Sequence, residues 1–384
     1  MPAPTAERTP DAPVGKILVA DLQALAQRTG LAALGFAGTE EFFETRGQLV
    51  DRKAMGLHGG MQFTYRNPER STDPRRILPG ARSLVVGAWG YRRADREADG
   101  DPEGRSVHAT PSGKPPGQPH PVGRVARYSW QDHYAPLRAA LGQLAERLEA
   151  DGWRARVVCD DNALVDRAAA HRAGIGWYGK NSLLLLDGLG SWFVLGTVVT
   201  DAPLPLPTRE AAEHARGCGS CSRCLSACPT GAIVAPGVVD ARRCLAWLVQ
   251  APGSFPEEWR HALGDRIYGC DECQQVCPIN RLADRRTPPG VADAEAEPTV
   301  DLLALLASSD DELLERHGRW YIAERDPRYL RRNALVALGN TGNGEDPAVE
   351  AALTRALADP DAMIREHAWW AAEQLGRSDL AGAA

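Results

Sequence analysis

"RGCGSCSRCLSACPTG", residues 216–231, places four cysteines within eleven positions, and the last of them, Cys228, stands directly before a proline. Farther along, "DARRCLAWLVQ" carries Cys244, and "YGCDECQQVCPIN" carries Cys270, Cys273 and Cys277. Eight of the chain's nine cysteines thus read C-x2-C-x2-C-x3-C-P, one cysteine alone, then C-x2-C-x3-C-P. A [4Fe-4S] cube takes one thiolate on each iron. Two-residue gaps let a single turn aim three sulfurs and several backbone N–H groups at one cube, while the cysteine before proline points away and, in bacterial two-cluster ferredoxins, ligates the other cluster. By that logic one cluster takes Cys218, Cys221, Cys224 and Cys277. The second takes Cys228, Cys244, Cys270 and Cys273, with Cys244 replacing the missing first cysteine of the second motif. A pair of structural zinc sites is the competing reading, since zinc also accepts four thiolates. The triple C-x2-C-x2-C followed by Cys-Pro is uncommon in zinc ribbons.

Composition bounds what surrounds this cassette. At 384 residues with 43% hydrophobic content, the chain is long enough for two or three packed modules. The first thirteen residues lack the apolar stretch of a secretory signal, and no run of about 18 apolar residues offers a membrane span. The expected compartment is the cytoplasm, with no membrane partner. Cysteines stay reduced there, which favours metal ligation over disulfides. Cys159, apart from the others, reads as a buried apolar thiol. A net charge of −6 gives no global nucleic-acid signal, although arginines gather in "DPRRILPGAR", "YRRADR" and "RDPRYLRRN".

Residues 1–15 read as a disordered N-terminus, and 16–30 as a helix ending on glycine. "RSLVVGAW" (82–89), "RARVVC" (154–159), "SLLLL" (182–186) and "WFVLGTVVT" (192–200) read as strands, with an amphipathic helix between the first two. This alternation predicts an α/β domain over 16–209, interrupted by a mobile loop at 92–122. The cysteine module occupies 210–280 and is expected to be α+β and ferredoxin-like. A linker at 281–298 leads to an all-α segment, 299–384. There "RRNALVALGN" and "IREHAWWAAEQLG" recur about 33 residues apart, a HEAT-like helical-repeat spacing. Two ordinary amphipathic helices are the plainer alternative. No self-complementary heptad stands out, so a monomer is expected.

The stretch "VVCDDNALVDRAAAHRAGIGWYGKNSLLLL" carries the other chemistry. A strand ending at Cys159 sets Asp160 and Asp161 at its carboxyl edge, where α/β domains bind ligands. "AGIGWYGKN" is a glycine-rich turn open to close backbone approach by a bulky ligand, although it is neither G-x-G-x-x-G nor a P-loop. A solvated Asp-Asp pair capping a helix is an equally open reading.

Taken together, "GRVARYSW", the D-x5-DR spacing from Asp160 to Arg167, "AGIGWYGKN", the eight-cysteine pattern, "YGCDECQQVCPIN" and "RRNALVALGN" resemble the epoxyqueuosine reductases, in the same order, over residues 16–376. The resemblance implies an oxidoreductase that completes queuosine at the wobble position, nucleotide 34, of certain tRNAs. It implies an α/β cobalamin-binding domain, two [4Fe-4S] clusters fed by an external low-potential electron donor, and tRNA laid across the enzyme. Asp160 matches the family's proton donor, as reductive epoxide opening requires. Ala126, Arg167, Leu184, Leu195 and Leu245 match positions lining the corrin pocket. Arg70 matches less closely, being offset by one residue from the usual arginine spacing. "SWQDHYA" departs from the family pattern at Gln131, Asp132 and His133. No D-x-H-x-x-G motif occurs, which favours base-off cobalamin without a protein axial ligand. Arg331 and Arg332, with Arg325 and Arg328 nearby, are expected to pair with tRNA phosphates. Two other functions compete: a corrinoid iron–sulfur reductase of the dehalogenase or corrinoid-activating kind, and a ferredoxin-type electron carrier on a helical-repeat scaffold.

Overall fold

The computed structural model describes residues 12–94, 121–206, 217–286, 290–291 and 295–382. Residues 1–11 of the expected N-terminal tail, and 95–120 of the expected loop, lie outside them.

Phe193–Thr200 is apolar or β-branched at nearly every position, and all eight residues are buried. It lies inside a four-stranded sheet ordered Ala33–Gly38, Ser83–Gly90, Phe193–Thr200, Ala155–Cys159. Alternate residues feed two cores. On one face Phe36, Val85, Val194 and Val198 meet Leu18 and Leu22 of the helix Ala12–Arg28 and Leu137, Leu141, Leu144 and Leu148 of the helix Tyr134–Ala150. On the other, Leu84, Val86, Leu195 and Val199 meet Ala168, Ala169 and Ala170 of the helix Asp166–Arg172. Helices therefore cover both faces, as the α/β reading expects, but every neighbouring pair of strands is antiparallel. Helix–strand alternation fixes the layers and leaves strand direction to the connections. Ala33–Gly38 ("ALGFAG") carried no strand signal because of its small residues; it is recruited by pairing along Ser83–Gly90. Of "SLLLL" only Leu184–Leu185 is extended, in a hairpin with Trp177–Tyr178.

A second sheet joins distant parts of the chain. Val122–Val125 pairs parallel with Arg266–Tyr268 and antiparallel with Thr299–Asp301. Around it Val125 and Trp130, Leu245 and Ile267, and Val300, Leu302, Leu330 and Ala334 share one core. Burying each large apolar side chain stabilises by roughly 1.5–3 kcal/mol, so this seam holds the three regions together.

Of the expected linker, 281–298, residues 287–289 and 292–294 lie outside the described residues, and the rest is tied down. The helix Pro278–Arg286 runs into it, and the Glu297 N–H donates to the Trp130 carbonyl at 2.9 Å. Beyond it, "RRNALVALGN" falls on the helix Arg328–Thr341 and "IREHAWWAAEQLG" on Ala362–Gln374, with Pro347–Leu357 between. Gly339 lets the two outer helices touch: a Cβ there would lie 2.9 Å from Ala371 Cα.

Candidate active site and cluster module

Asp160 ends the edge strand Ala155–Cys159 in a left-handed conformation, φ 52°. Its side chain is exposed at the sheet edge, yet desolvation by the surrounding protein raises its pKa above the usual carboxylate value, with Arg138 opposing and Asp161 reinforcing the shift. Asp161 instead accepts the Ala163 N–H at 2.8 Å. The pair therefore divides: one carboxyl closes the turn, and the other stands exposed at the strand end. Asp166, at the start of the next helix, is driven well upward by burial and then by Asp160. Burial raises Tyr134 and Tyr268 as well, and both feel the charge of Asp160. Cys159 packs under the strand with its thiol against the Leu195 carbonyl, pushed up to about 12 by burial, so it is an inert core thiol as expected.

The turn "AGIGWYGKN" touches the cysteine module. The Lys180 N–H donates to Cys218 Sγ at 3.4 Å and Lys180 Nζ to the Gly219 carbonyl at 2.8 Å. Buried Asn181 lies close enough to Cys273 to oppose the upward push of burial on its thiol. Ser182, with φ 64°, accepts Arg167 Nη1 on its carbonyl at 2.7 Å, while its buried Oγ has no hydrogen-bond partner.

The thiols gather in two sets. Burial pushes Cys224 up, with Cys218, Cys277 and Cys221 adding to the effect. Burial likewise raises Cys244 beside Cys228, Cys270 beside Cys244, and Cys273 beside Cys270 and Cys244. Cys224 thus neighbours Cys218, Cys221 and Cys277, and Cys244 neighbours Cys228, Cys270 and Cys273. Among the described residues no three His, Cys, Asp or Glu side chains converge closely enough to hold a single metal ion. A cubane spreads its thiolates over separate irons and needs no such convergence. Backbone donors aim at the sulfurs, as in the Ala232 N–H to Cys228 Sγ bond at 3.2 Å. The first set lies under exposed Gly217, Gly219, Ser220 and Ser222, whereas buried Leu245, Ile267, Tyr268 and Asp271 wrap the second.

Ala126 and Leu245 border the second set. The Ala126 N–H donates to the Tyr268 carbonyl at 2.9 Å, and Gly269, with φ 73°, would carry a Cβ only 2.6 Å from Ala126 Cβ. Leu184 and Leu195 lie in the core under the sheet, on the Arg167 side. Arg70 is exposed on the turn Pro68–Ser71, which is fastened to the Asp166 helix by the Val165 N–H to Ser71 carbonyl bond. In "SWQDHYA", Asp132 accepts the N–H groups of Tyr134 and Ala135, starting the long helix, and His133 is buried against Tyr91. Tyr128, Tyr268, Lys180 and Asn181 were not singled out from the sequence. They lie inside the quoted motifs, but nothing local marks them as bridges.

One expectation is corrected. Arg332 does not face solvent: it is 0% exposed, and its guanidinium donates to the carbonyls of Leu248 (3.0 Å), Ala251 (2.8 Å) and Gly253. Helical phase turns it inward against the cluster module, where it offers nothing to a phosphate. Arg331 is half-buried and pairs with Asp310 at 2.5 Å and with the Ser308 carbonyl at 2.8 Å. Arg328 is held by Asp326 and Asp361.

Two sets of cysteines with N–H donors turned towards their sulfurs define an iron–sulfur protein, and residues 217–280 match the family model of the 4Fe-4S double cluster binding domain. The whole chain is 36% identical over 363 residues to the epoxyqueuosine reductase of Xanthomonas campestris pv. campestris, covering 93% of this chain and 96% of that one. It is 32% identical to that of Bacillus cereus, over 93% and 88% of the two chains. The chain belongs to the epoxyqueuosine reductase family. Its fold matches an epoxyqueuosine reductase crystallised with an epoxyqueuosine-modified tRNA-Tyr stem loop, with a TM-score of 0.79 at 30% identity over 94% of this chain and 91% of that one. The Streptococcus thermophilus enzyme matches with a TM-score of 0.78 at 28% identity over 93% and 90%. No described helix is long and apolar enough to cross a membrane.

Proposed function

We propose that this chain reduces epoxyqueuosine to queuosine at position 34 of tRNA, using two [4Fe-4S] clusters and base-off cobalamin, with Asp160 as proton donor. The observation that carries the reading is that the "AGIGWYGKN" turn bonds Cys218 through the Lys180 N–H while Asp160 lies within electrostatic reach of Tyr268, two residues before Cys270; the space they border is the recess in which we place the reaction. Converting the epoxide to an alkene consumes two electrons and two protons and releases water. Clusters held by the eight cysteines supply the electrons one at a time from an external low-potential donor.

Cobalamin, when bound, supplies a low-valent cobalt centre able to deliver electrons to the epoxide. The residues present suit such a group. Ala126 and Leu245 would border it on the cluster side, and Leu184, Leu195 and Arg167 on the sheet side. The partnerless Ser182 Oγ is a buried polar atom that a polar cofactor would satisfy. Arg70, on a turn fastened to the Asp166 helix, is placed to reach the cofactor's polar periphery.

Asp160 answers the proton demand. Desolvation holds its proton towards neutral pH, so it can protonate the alkoxide left when the epoxide opens. Asp166, half-buried and close enough to feel the charge of Asp160, is a second carboxyl with a raised pKa.

The C-terminal helices form a HEAT-like cap over the cluster module, the side from which tRNA approaches. Arg331 can meet a phosphate there by exchanging Asp310 for it, a contact that weakens with salt. The test is anaerobic: reconstitute iron and cobalamin, add a low-potential reductant and epoxyqueuosine tRNA, digest, and weigh the nucleosides. Loss of one oxygen with appearance of queuosine is expected. An unchanged mass with both cofactors verified spectroscopically overturns the reading.

A further inference from the structure

The segment Gly318–Asp326 is held in a shape its own residues resist. Glu324 and Arg325 both have φ 55°, a conformation that side chains other than glycine adopt at a cost and that the surrounding structure must impose. Arg325 Nη1 closes the segment on the Gly318 carbonyl at 3.3 Å. Arg319 donates to the carbonyls of Ser129 (3.0 Å) and Trp130 (3.1 Å), and Trp320 Nε1 donates to Ser129 as well. Trp320 is stacked between Tyr268, at 4.6 Å, and His317, at 4.4 Å. Trp320, Ile322 and Ala323 are all buried, yet Tyr321 between them is 57% exposed. The backbone is clamped so that one aromatic ring stands out.

The backbone beneath that ring is tied to the aromatic cluster near Asp160. Tyr268 Oη donates to the Tyr321 carbonyl at 3.2 Å, and Tyr268 lies within electrostatic reach of Asp160. On its other side Tyr268 faces Tyr128, with ring centroids 6.4 Å apart. A nucleotide entering the recess must leave its neighbours unstacked outside. Unpaired RNA bases are held on aromatic side chains, which offer a π face whatever the base.

We infer that Tyr321 is a stacking platform for an unpaired anticodon-loop base beside the nucleotide that enters the recess. This rests on the tRNA reading of the site and names a residue that positions the substrate. Arg325, exposed on the same segment, offers a cation to the adjoining phosphate.

The test uses the reconstituted full-length enzyme and a stem loop carrying epoxyqueuosine at position 34 and 2-aminopurine next to it. Tyr321→Ala and Tyr321→Leu should raise KM about tenfold and leave kcat within about twofold. Both should also lose the 2-aminopurine fluorescence change on binding, and Tyr321→Phe should restore both readouts. Thermal melting and cluster absorbance should match wild type. An unaltered KM and fluorescence response in Tyr321→Ala overturns the inference, assigning the ring to plain surface or to a protein partner. Binding is read without turnover, so failure of the wild-type enzyme to convert the loop sinks the reaction assignment, while the fluorescence still decides Tyr321.

Discussion

The backbone N–H of Lys180 donates to Cys218 Sγ at 3.4 Å, so the glycine-rich turn beside the recess touches the first cysteine set directly. Hydrogen bonds and nearby positive charge stabilise the reduced, more negative cluster and raise its potential. Lys180→Met removes the charge and the Nζ contact to Gly219, and should lower the potential of the first cluster. Asn181→Leu removes the amide beside Cys273 and should lower that of the second. EPR-monitored redox titration separates the two. If each variant shifted both clusters equally, the assignment of one residue to each set would fail.

Asp160 is raised by desolvation, and as the proposed proton donor it would have to be protonated to act. The single-turnover rate should therefore fall as pH rises through its pKa. Asp160→Asn should cost about 100-fold or more, the usual worth of a positioned general acid, and lose that alkaline limb. A variant as fast as wild type would remove Asp160 from the chemistry.

Arg332 satisfies carbonyls at the end of the turn that carries Leu245. Each buried polar group left unpaired costs about 1–3 kcal/mol. Arg332→Leu should accordingly destabilise by roughly 3 kcal/mol or more, read as a lower denaturation midpoint. Arg331→Gln breaks a partly exposed pair with Asp310, worth about 1 kcal/mol or less, and should melt near wild type. Equal losses in the two would contradict the buried placement.

His317 is 1% exposed, and burial drives its pKa down to about 4; Glu297 opposes the shift, while Arg316 and Arg319 add to it. The unfolded chain binds this proton near pH 6.5 and the folded chain only near 4. Stability is full above about 6.5 and falls as pH drops through that window, by about 3 kcal/mol for this residue. His317→Phe keeps the stack on Trp320 and should flatten the acid limb of a melting-temperature profile. An identical profile would show that His317 is not buried neutral.

Much of the site could be read from local spacing. The grouping of Cys218, Cys221 and Cys224 needs only the reach of one turn, and Asp160 follows from the end of the apolar run before it. The fates of Arg331 and Arg332 could not be read, because adjacent helix positions differ by a helical phase that only a packing partner turns into inside or outside. Tyr128 and Tyr268 gave no signal for a related reason: they meet across chain segments more than a hundred residues apart.

What the sequence by itself determined was the chemistry: the thiol count, the carboxyl at a strand end, and the layering of helix on strand, all set by spacings within a few residues. Tertiary structure alone decided the antiparallel run of the main sheet and the second sheet built from Val122–Val125, Arg266–Tyr268 and Thr299–Asp301. It also decided which arginine is buried and which tyrosine is exposed. Strands of three or four residues have too little pattern to announce themselves, and they exist because backbone donors and acceptors in a shared core must find one another.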